Sequence, residues 1–229
     1  MQTERIEVVR VAGATRSTRL DTVVREVEVA IELDGKLRRR LLCLPTDVEE
    51  LALGHLAARG IVASDISVEP GEGRLLVRAH RAGRVKAGQA SLSLTVTEDQ
   101  VFEAVAMLDE NCPLFKTTGG THVAGMIHGA DAVFVEDVSR HCAIDKVLGA
   151  AIKRGIQPSE SILVASCRQT RSTMSKAVRT RVPIIITVSA PTAQAIRDAD
   201  RAGITLIGFA RGRQFNLYCH PWRVAPGPD

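Results

Sequence analysis

The chain has 229 residues, 45% of them apolar but only 3% aromatic, and a formal net charge of +4. That length suits one large domain, or one with a smaller partner, and a core confined to Val, Ile, Leu and Ala is the composition of a buried sheet covered by helices. One Trp and one Tyr cannot furnish the stacking platforms of single-strand nucleic-acid binders, the N-terminus MQTERIEVVR lacks the apolar segment of a signal peptide, and no apolar run approaches the roughly 20 residues of a membrane span, so the expectation is a cytoplasmic protein with no nucleic-acid or membrane partner.

In chain order, VREVEVAIELDG and KLRRRLLCLP flank the turn signal Asp34-Gly35 and predict a β-hairpin over 23–45. TDVEELALGHLAARG predicts a helix with a Thr46–Glu49 capping box and a stop at Gly60. Two strands are expected near 66–68 and 75–79, and the basic HRAGRVKAGQAS reads as a loop. From Thr97 the pattern changes. TEDQVFEAVAMLDEN predicts a helix capped by Thr97 and Gln100, and HVAGMI and DAVFVED predict strands joined at Gly129. CAIDKVLGAAIKRG is an amphipathic helix ended by Gly155, with Ser139 as its N-cap. SILVAS, PIIITVS and ITLIGFA then alternate as strands with the helices TRSTMSKAVRT and PTAQAIRDADRAG. Such alternation implies right-handed crossovers and a largely parallel sheet. The division expected is a β-containing region with one helix over 1–96 and an α/β domain over 97–229.

In a sheet of this kind ligands sit beyond the carboxyl ends of the strands. The segments expected there are KTTGGTHVAG, EDVSRHCAIDK, SCRQTRS, SAPT and FARGRQ. Gly119 and Gly120 permit close backbone approach to a ligand, with His122 following. Arg168, Arg171, Arg211 and Arg213 offer forks for phosphate oxygens, and Ser189 belongs to the SAPT turn. His141 and Cys142 fall in the first turn of a helix, where the dipole and a neighbouring imidazolium favour a thiolate. With Asp137 they form the cluster with the strongest claim to catalysis. The same side chains also suit an ordinary solvated loop. There is no GxxxxGK[ST], no GxSxG and no HxE with PCxxC. The five cysteines, Cys43, Cys112, Cys142, Cys167 and Cys219, contain no CxxC pair, which argues against a disulfide framework or a cysteine zinc site.

Taken in order, TGGTHVAG, EDVSRHCAIDK, SCRQTRSTMSKA, SAPT and GFARGRQFNLYCHPWR, with LPTDVEELALGHLAARGIV upstream, resemble the formate dehydrogenase accessory sulfurtransferase family (FdhD type) over about residues 30–224. The resemblance implies a cytidine-deaminase-like α/β domain without zinc, with a mixed or parallel sheet and flanking helices, behind a smaller β-containing region. It implies a homodimer that takes sulfur as a persulfide from a cysteine desulfurase and delivers it to the metal, molybdenum or tungsten, of the bis-molybdopterin guanine dinucleotide cofactor, for the catalytic subunit of formate dehydrogenase. The family's cofactor segment corresponds to Phe209, Ala210, Arg211, Gly212, Arg213 and Gln214. One departure matters: members carry a CxxC loop where residues 80–94 stand here, and these contain no cysteine. Cys142 stands where the family has Asn, Cys167 where it has the Gly of SGR, and Cys112 shortly before TGG. A relocated sulfur carrier and a cofactor-binding chaperone without sulfur transfer are the two readings this leaves.

Overall fold

In a computed structural model of the chain, residues 2–71, 73–85 and 93–227 are described. The first element is one the sequence reading did not assign. Strands β1 (Thr3–Ala12) and β2 (Thr15–Val24) form an antiparallel ribbon that turns at Gly13, φ +60°. The predicted hairpin follows as β3 (Val27–Leu33) and β4 (Lys36–Cys43). Asp34 and Gly35 have φ of 53° and 70°, the pair of left-handed residues that a two-residue hairpin turn requires.

Helix α1 (Val48–Ala57) then crosses to β5 (Ile61–Gly71), which returns as β6 (Arg74–Arg84), giving a sheet in the order β4-β3-β6-β5. The Thr46–Glu49 capping box does not form. Asp47 occupies the N-cap in a left-handed conformation with no side-chain cap bond, and the Thr46 hydroxyl accepts from the Gln2 amide at 3.0 Å. Strand β6 also runs to Arg84, so the first part of the expected basic loop is ladder; residues 86–92 of that loop lie outside the described residues.

The second sheet has six strands in the order β13-β12-β11-β10-β8-β9. After the short β7 (Val96–Thr97), the chain runs through α2 (Glu98–Glu110), with the predicted Thr97–Gln100 capping box, and α3 (Pro113–Thr118). Next come the hairpin β8 (His122–His128) and β9 (Asp131–Asp137) and helix α4 (Arg140–Lys153). Strand β10 (Ile162–Ala165), helix α5 (Arg171–Thr180), strand β11 (Ile184–Thr187), helix α6 (Ala193–Ala202) and strand β12 (Thr205–Arg211) complete the alternation. Strand β13 (Gln214–Cys219) folds back on β12, and β14 (Val224–Ala225) pairs with β7. Only β10, β11 and β12 run parallel; both edges are antiparallel hairpins. The sheet is therefore mixed rather than largely parallel, because GRQ turns β12 directly into an edge strand where no crossover helix intervenes.

Alternation along the central strands separates two apolar layers. Leu163, Ile185 and Leu206 pack with α4, α5 and α6, whereas Val164, Ile186 and Ile207 pack with α2. Among the described residues no helix is long and apolar enough to cross a membrane.

Helices α1 and α4 cross at glycines. A Cβ on Gly54 would stand 1.8 Å from the Asp145 carbonyl oxygen, and one on Gly149 would stand 1.9 Å from that of Glu50. Buried charges join the same junction. Asp137 and Lys146, both fully buried, pair at 2.7 Å, and the Lys146 ammonium also donates to the Leu44 carbonyl at 3.1 Å. Asp145 receives Lys176 at 2.6 Å and contacts His55 Nδ1 at 2.9 Å. Charges removed from water this completely must be paired, and the pairing ties α1 and the end of β4 to α4 and α5.

Candidate functional site

The largest cavity, about 760 Å³, lies at the carboxyl ends of β10, β11 and β12 on the α2 side of the sheet. Gly119, Gly120, His122, Ala210, Arg211 and Gly212 are in its wall, as the sequence expected of them. Phe102 of α2 and Phe115 of α3 supply aromatic surface, Ser166 a hydroxyl and Cys112 a thiol. A volume of this size accommodates a nucleotide-sized ligand (small-molecule sites span roughly 300–1,000 Å³).

The glycine pair is built by α3. Gly119 has φ +67° and closes the helix by donating to the Phe115 carbonyl at 2.7 Å, a conformation costly for other residues. The acid that fixes this corner is one the sequence reading did not single out. Glu136 accepts from the Leu114 and Phe115 amides at 2.9 and 2.8 Å and from the Thr121 hydroxyl at 2.7 Å. It thus caps α3 and pins the TGG turn to β9. Its signal was present in the sequence as the acid preceding Asp137, but its partners lie 15 to 22 residues away.

The opposite wall comes from the loop after β12. Phe209 has φ +52° and donates its amide to the Ser189 carbonyl at 3.1 Å. A bulky residue in the left-handed region is rare and strained. Here it occupies the bulge between β12 and β13, and Gly208 beside it leaves room for Tyr218, Pro191 and Ser189. Arg211 donates Nε to the Val188 carbonyl at 2.7 Å, which orients the guanidinium at the cavity.

Other expected ligands stand outside the wall. Arg213 pairs with Asp99 at 3.1 Å and lies over the Phe102 ring, 4.9 Å from its centre, so its charge braces α2 instead of forking toward the ligand. Phe209, Gln214 and Arg168 are exposed, and Ser189 serves the bulge through its backbone. Arg171 lines a separate groove between α5 and α6 with Arg179 and Arg201. The two arginine loops therefore do not converge: α5 carries Arg171 to the opposite face of the sheet from α2.

The proposed catalytic trio separates in the same way. Asp137 is fully buried, accepting from the Leu44 and Ser139 amides at 3.1 and 2.9 Å besides Lys146, and faces no cavity. Burial raises its pKa, against the opposing pull of Lys146 and the two amides. Cys142 does sit in the first turn of α4, but it is 1% exposed and packed against Val29, Cys43 and Leu51. Burial, reinforced by Asp137, pushes its thiol to about 11. The expected thiolate is thus not favoured, because the small sheet covers the helix terminus and desolvation outweighs the dipole. His141 is half-buried, and desolvation with Lys176 and Arg140 nearby lowers its pKa. Desolvation, Arg140 and Arg168 do the same to His122; both imidazoles are neutral near pH 7. Burial likewise raises Cys43 to about 12, Cys167 to about 11, and Cys112 and Cys219 by smaller amounts. Of the five thiols, Cys112 alone lines the cavity, its Sγ donating to the Asp109 carbonyl at 2.8 Å.

Comparison with known proteins agrees with this arrangement. The FdhD/NarQ family model matches residues 67–225. The chain is 34% identical to the sulfur carrier protein FdhD of Methanothermobacter thermautotrophicus, covering 89% of this chain and 92% of that protein. It is 32% identical to that of Sulfurisphaera tokodaii, covering 98% and 100%. A solved structure described as a formate dehydrogenase accessory protein from Desulfotalea psychrophila superposes with a TM-score of 0.86 at 26% identity, over 98% of this chain and all of that one. A cavity walled by the TGG and FARGR segments, on a fold shared along its length with such relatives, identifies the chain as a member of the FdhD/NarQ family.

Proposed function

We propose that the chain is a sulfur carrier for the maturation of formate dehydrogenase. It takes sulfur from a cysteine desulfurase and passes it to the metal of the bis-molybdopterin guanine dinucleotide cofactor, its cargo, before that cofactor enters the enzyme's catalytic subunit. The observation that carries the cargo reading is the cavity: Arg211, the Gly119-Gly120 backbone and two phenylalanines line a space suited to one nucleotide arm of the cofactor. The whole bis-dinucleotide exceeds that volume, so the remainder lies beyond the mouth.

In the absence of the family's CxxC loop, Cys112 is the thiol placed to carry sulfur, since it alone lines the cavity. As a thiolate it attacks the outer sulfur of the desulfurase persulfide and displaces the desulfurase cysteine as the leaving thiolate, with no net redox change. The thiol is protonated in the free chain because burial raises its pKa, so the proton must be removed when the desulfurase docks. That burial, shared by all five thiols, favours a second reading: a cofactor-binding chaperone that transfers no sulfur.

Mass spectrometry after incubation with a cysteine desulfurase and cysteine separates the two. The carrier reading expects one added sulfur atom that disappears in Cys112→Ala. Sulfur that persists in that variant rules out Cys112, and no adduct on any thiol leaves the chaperone. The cargo reading is tested by titrating GDP, a guanine-nucleotide probe, into the chain and its Arg211→Ala variant: about tenfold or greater weakening is expected from loss of a charge-assisted contact, and equal affinity removes Arg211 from the site.

A further inference from the structure

The ribbon of β1 and β2 is the least explained part of the molecule. Among the described residues it is a separate two-stranded sheet, and β1 pairs with no strand but β2. Residues Glu4–Glu7, Val9–Ala12 and Thr15–Leu20 are exposed, including Ile6, Val9, Val11 and Leu20 at 43 to 62%. Only the base meets the body, where Val24 lies against Gly120. An isolated two-stranded ribbon is marginal in water, while three or more strands are stable, and an open edge of this length is a template for another strand.

The charges along the ribbon point to its occupant. The base half carries Glu4, Glu7 and Asp21 against Arg5 alone, whereas the outer half carries Arg10, Arg16 and Arg19 and no acid. Two identical ribbons laid antiparallel therefore bring the acidic end of each toward the basic end of the other. We propose that the ribbon is a dimerisation arm that pairs, β1 against β1, with the same strand of a second copy of this chain.

Symmetry restricts the register. A two-fold axis between antiparallel strands of one sheet passes through a residue opposite its own copy. Centred on Glu4, Arg5, Glu7 or Arg10, it sets like charges face to face. Centred on Val8 or Val9, it pairs no opposite charges. Centred on Ile6, it places Arg5 opposite Glu7 of the second copy, twice by symmetry, with Ile6 against Ile6 and Glu4 against Val8. This register opposes no like charges and converts two exposed ribbons into one four-stranded sheet. The inference is independent of what the cavity holds.

Sedimentation of the full-length chain across the micromolar range, with Arg5→Glu and Glu7→Arg as variants, tests the arm and its register. The parent is expected to be dimeric. Each variant sets two like-charge pairs across the axis and should dimerise about tenfold more weakly or worse. Mixed together, the variants restore both pairs, and a heterodimer approaching the parent's affinity is expected. That recovery separates lost pairing from damage to the ribbon. A monomeric parent, single variants that dimerise as tightly as the parent, or a mixture no tighter than its components would each overturn the proposal.

Discussion

Substituting Gly149→Ala tests whether the α1–α4 crossing holds the small sheet against the large one. The added Cβ would stand 1.9 Å from the Glu50 carbonyl oxygen and 2.6 Å from its carbon. An ordinary carbon–oxygen contact is about 3.3 Å, so the helices must separate by roughly 1.4 Å. Nothing on the α1 side yields cheaply, because the obstructing atoms are helix backbone. Separation also loosens Leu51 and Ala52 beneath the small sheet and draws His55 from Asp145. Overpacking of this kind costs about 3 kcal/mol, which for a chain of this length lowers the melting temperature by roughly 6–12 °C. Urea and thermal denaturation of the variant would measure it, with Gly83→Ala as the control, since that Cβ meets only Val62 at 3.8 Å. A Gly149→Ala protein as stable as the control would refute the crossing as described.

Asp137→Asn keeps the shape but leaves the Lys146 ammonium buried without a counter-charge; the expected loss is about 3–5 kcal/mol by urea denaturation, and a loss under 1 kcal/mol would show that water reaches the pair. Glu136→Gln retains an acceptor but loses charge-assisted bonds to α3 and Thr121, so hydrogen exchange of the Leu114 and Phe115 amides should quicken while global stability falls by about 2 kcal/mol. Burial lowers the pKa of His55 from 6.5. The unfolded chain therefore binds a proton at a higher pH than the folded one, and the contribution is complete above pH 6.5 and lost as pH falls below it. The urea midpoint of the parent should decline through that window, and His55→Asn should flatten the decline; an unchanged slope would place the titration elsewhere.

Most of the second sheet was legible because its strands are unbroken runs such as PIIITV and its helices carry local caps, so period and punctuation agree. Cavity residues contributed by segments next to strands, Gly119, His122 and Arg211 among them, followed from the rule that ligands meet the carboxyl ends. The failures share a physical cause, which is tertiary contact. Cys142 was correctly placed at a helix start, but β4 covers that start and reverses the electrostatics. Arg171 was correctly placed after a strand, yet its helix carries it to the far face. The β1–β2 ribbon was hidden because arginines and threonines interrupt its apolar alternation, although Gly13 between two extended runs was a usable turn signal. Gly54 and Gly149, 95 residues apart, look unremarkable until the helices that carry them touch.

The carboxylate of Glu136 has a consequence for ligand choice. It occupies the donors at the start of α3, so the chain arrives with an anion of its own already seated at that side of the cavity. An incoming phosphate finds those amides taken and a negative neighbour beside them. Its attraction must come from the far wall, where Arg211 stands, while the near side offers aromatic surface and glycine backbone. The cavity is thereby polarised. Free phosphate, which is all charge, is expected to be a poor ligand, and a molecule with an aromatic end and an anionic end is expected to enter in one orientation only.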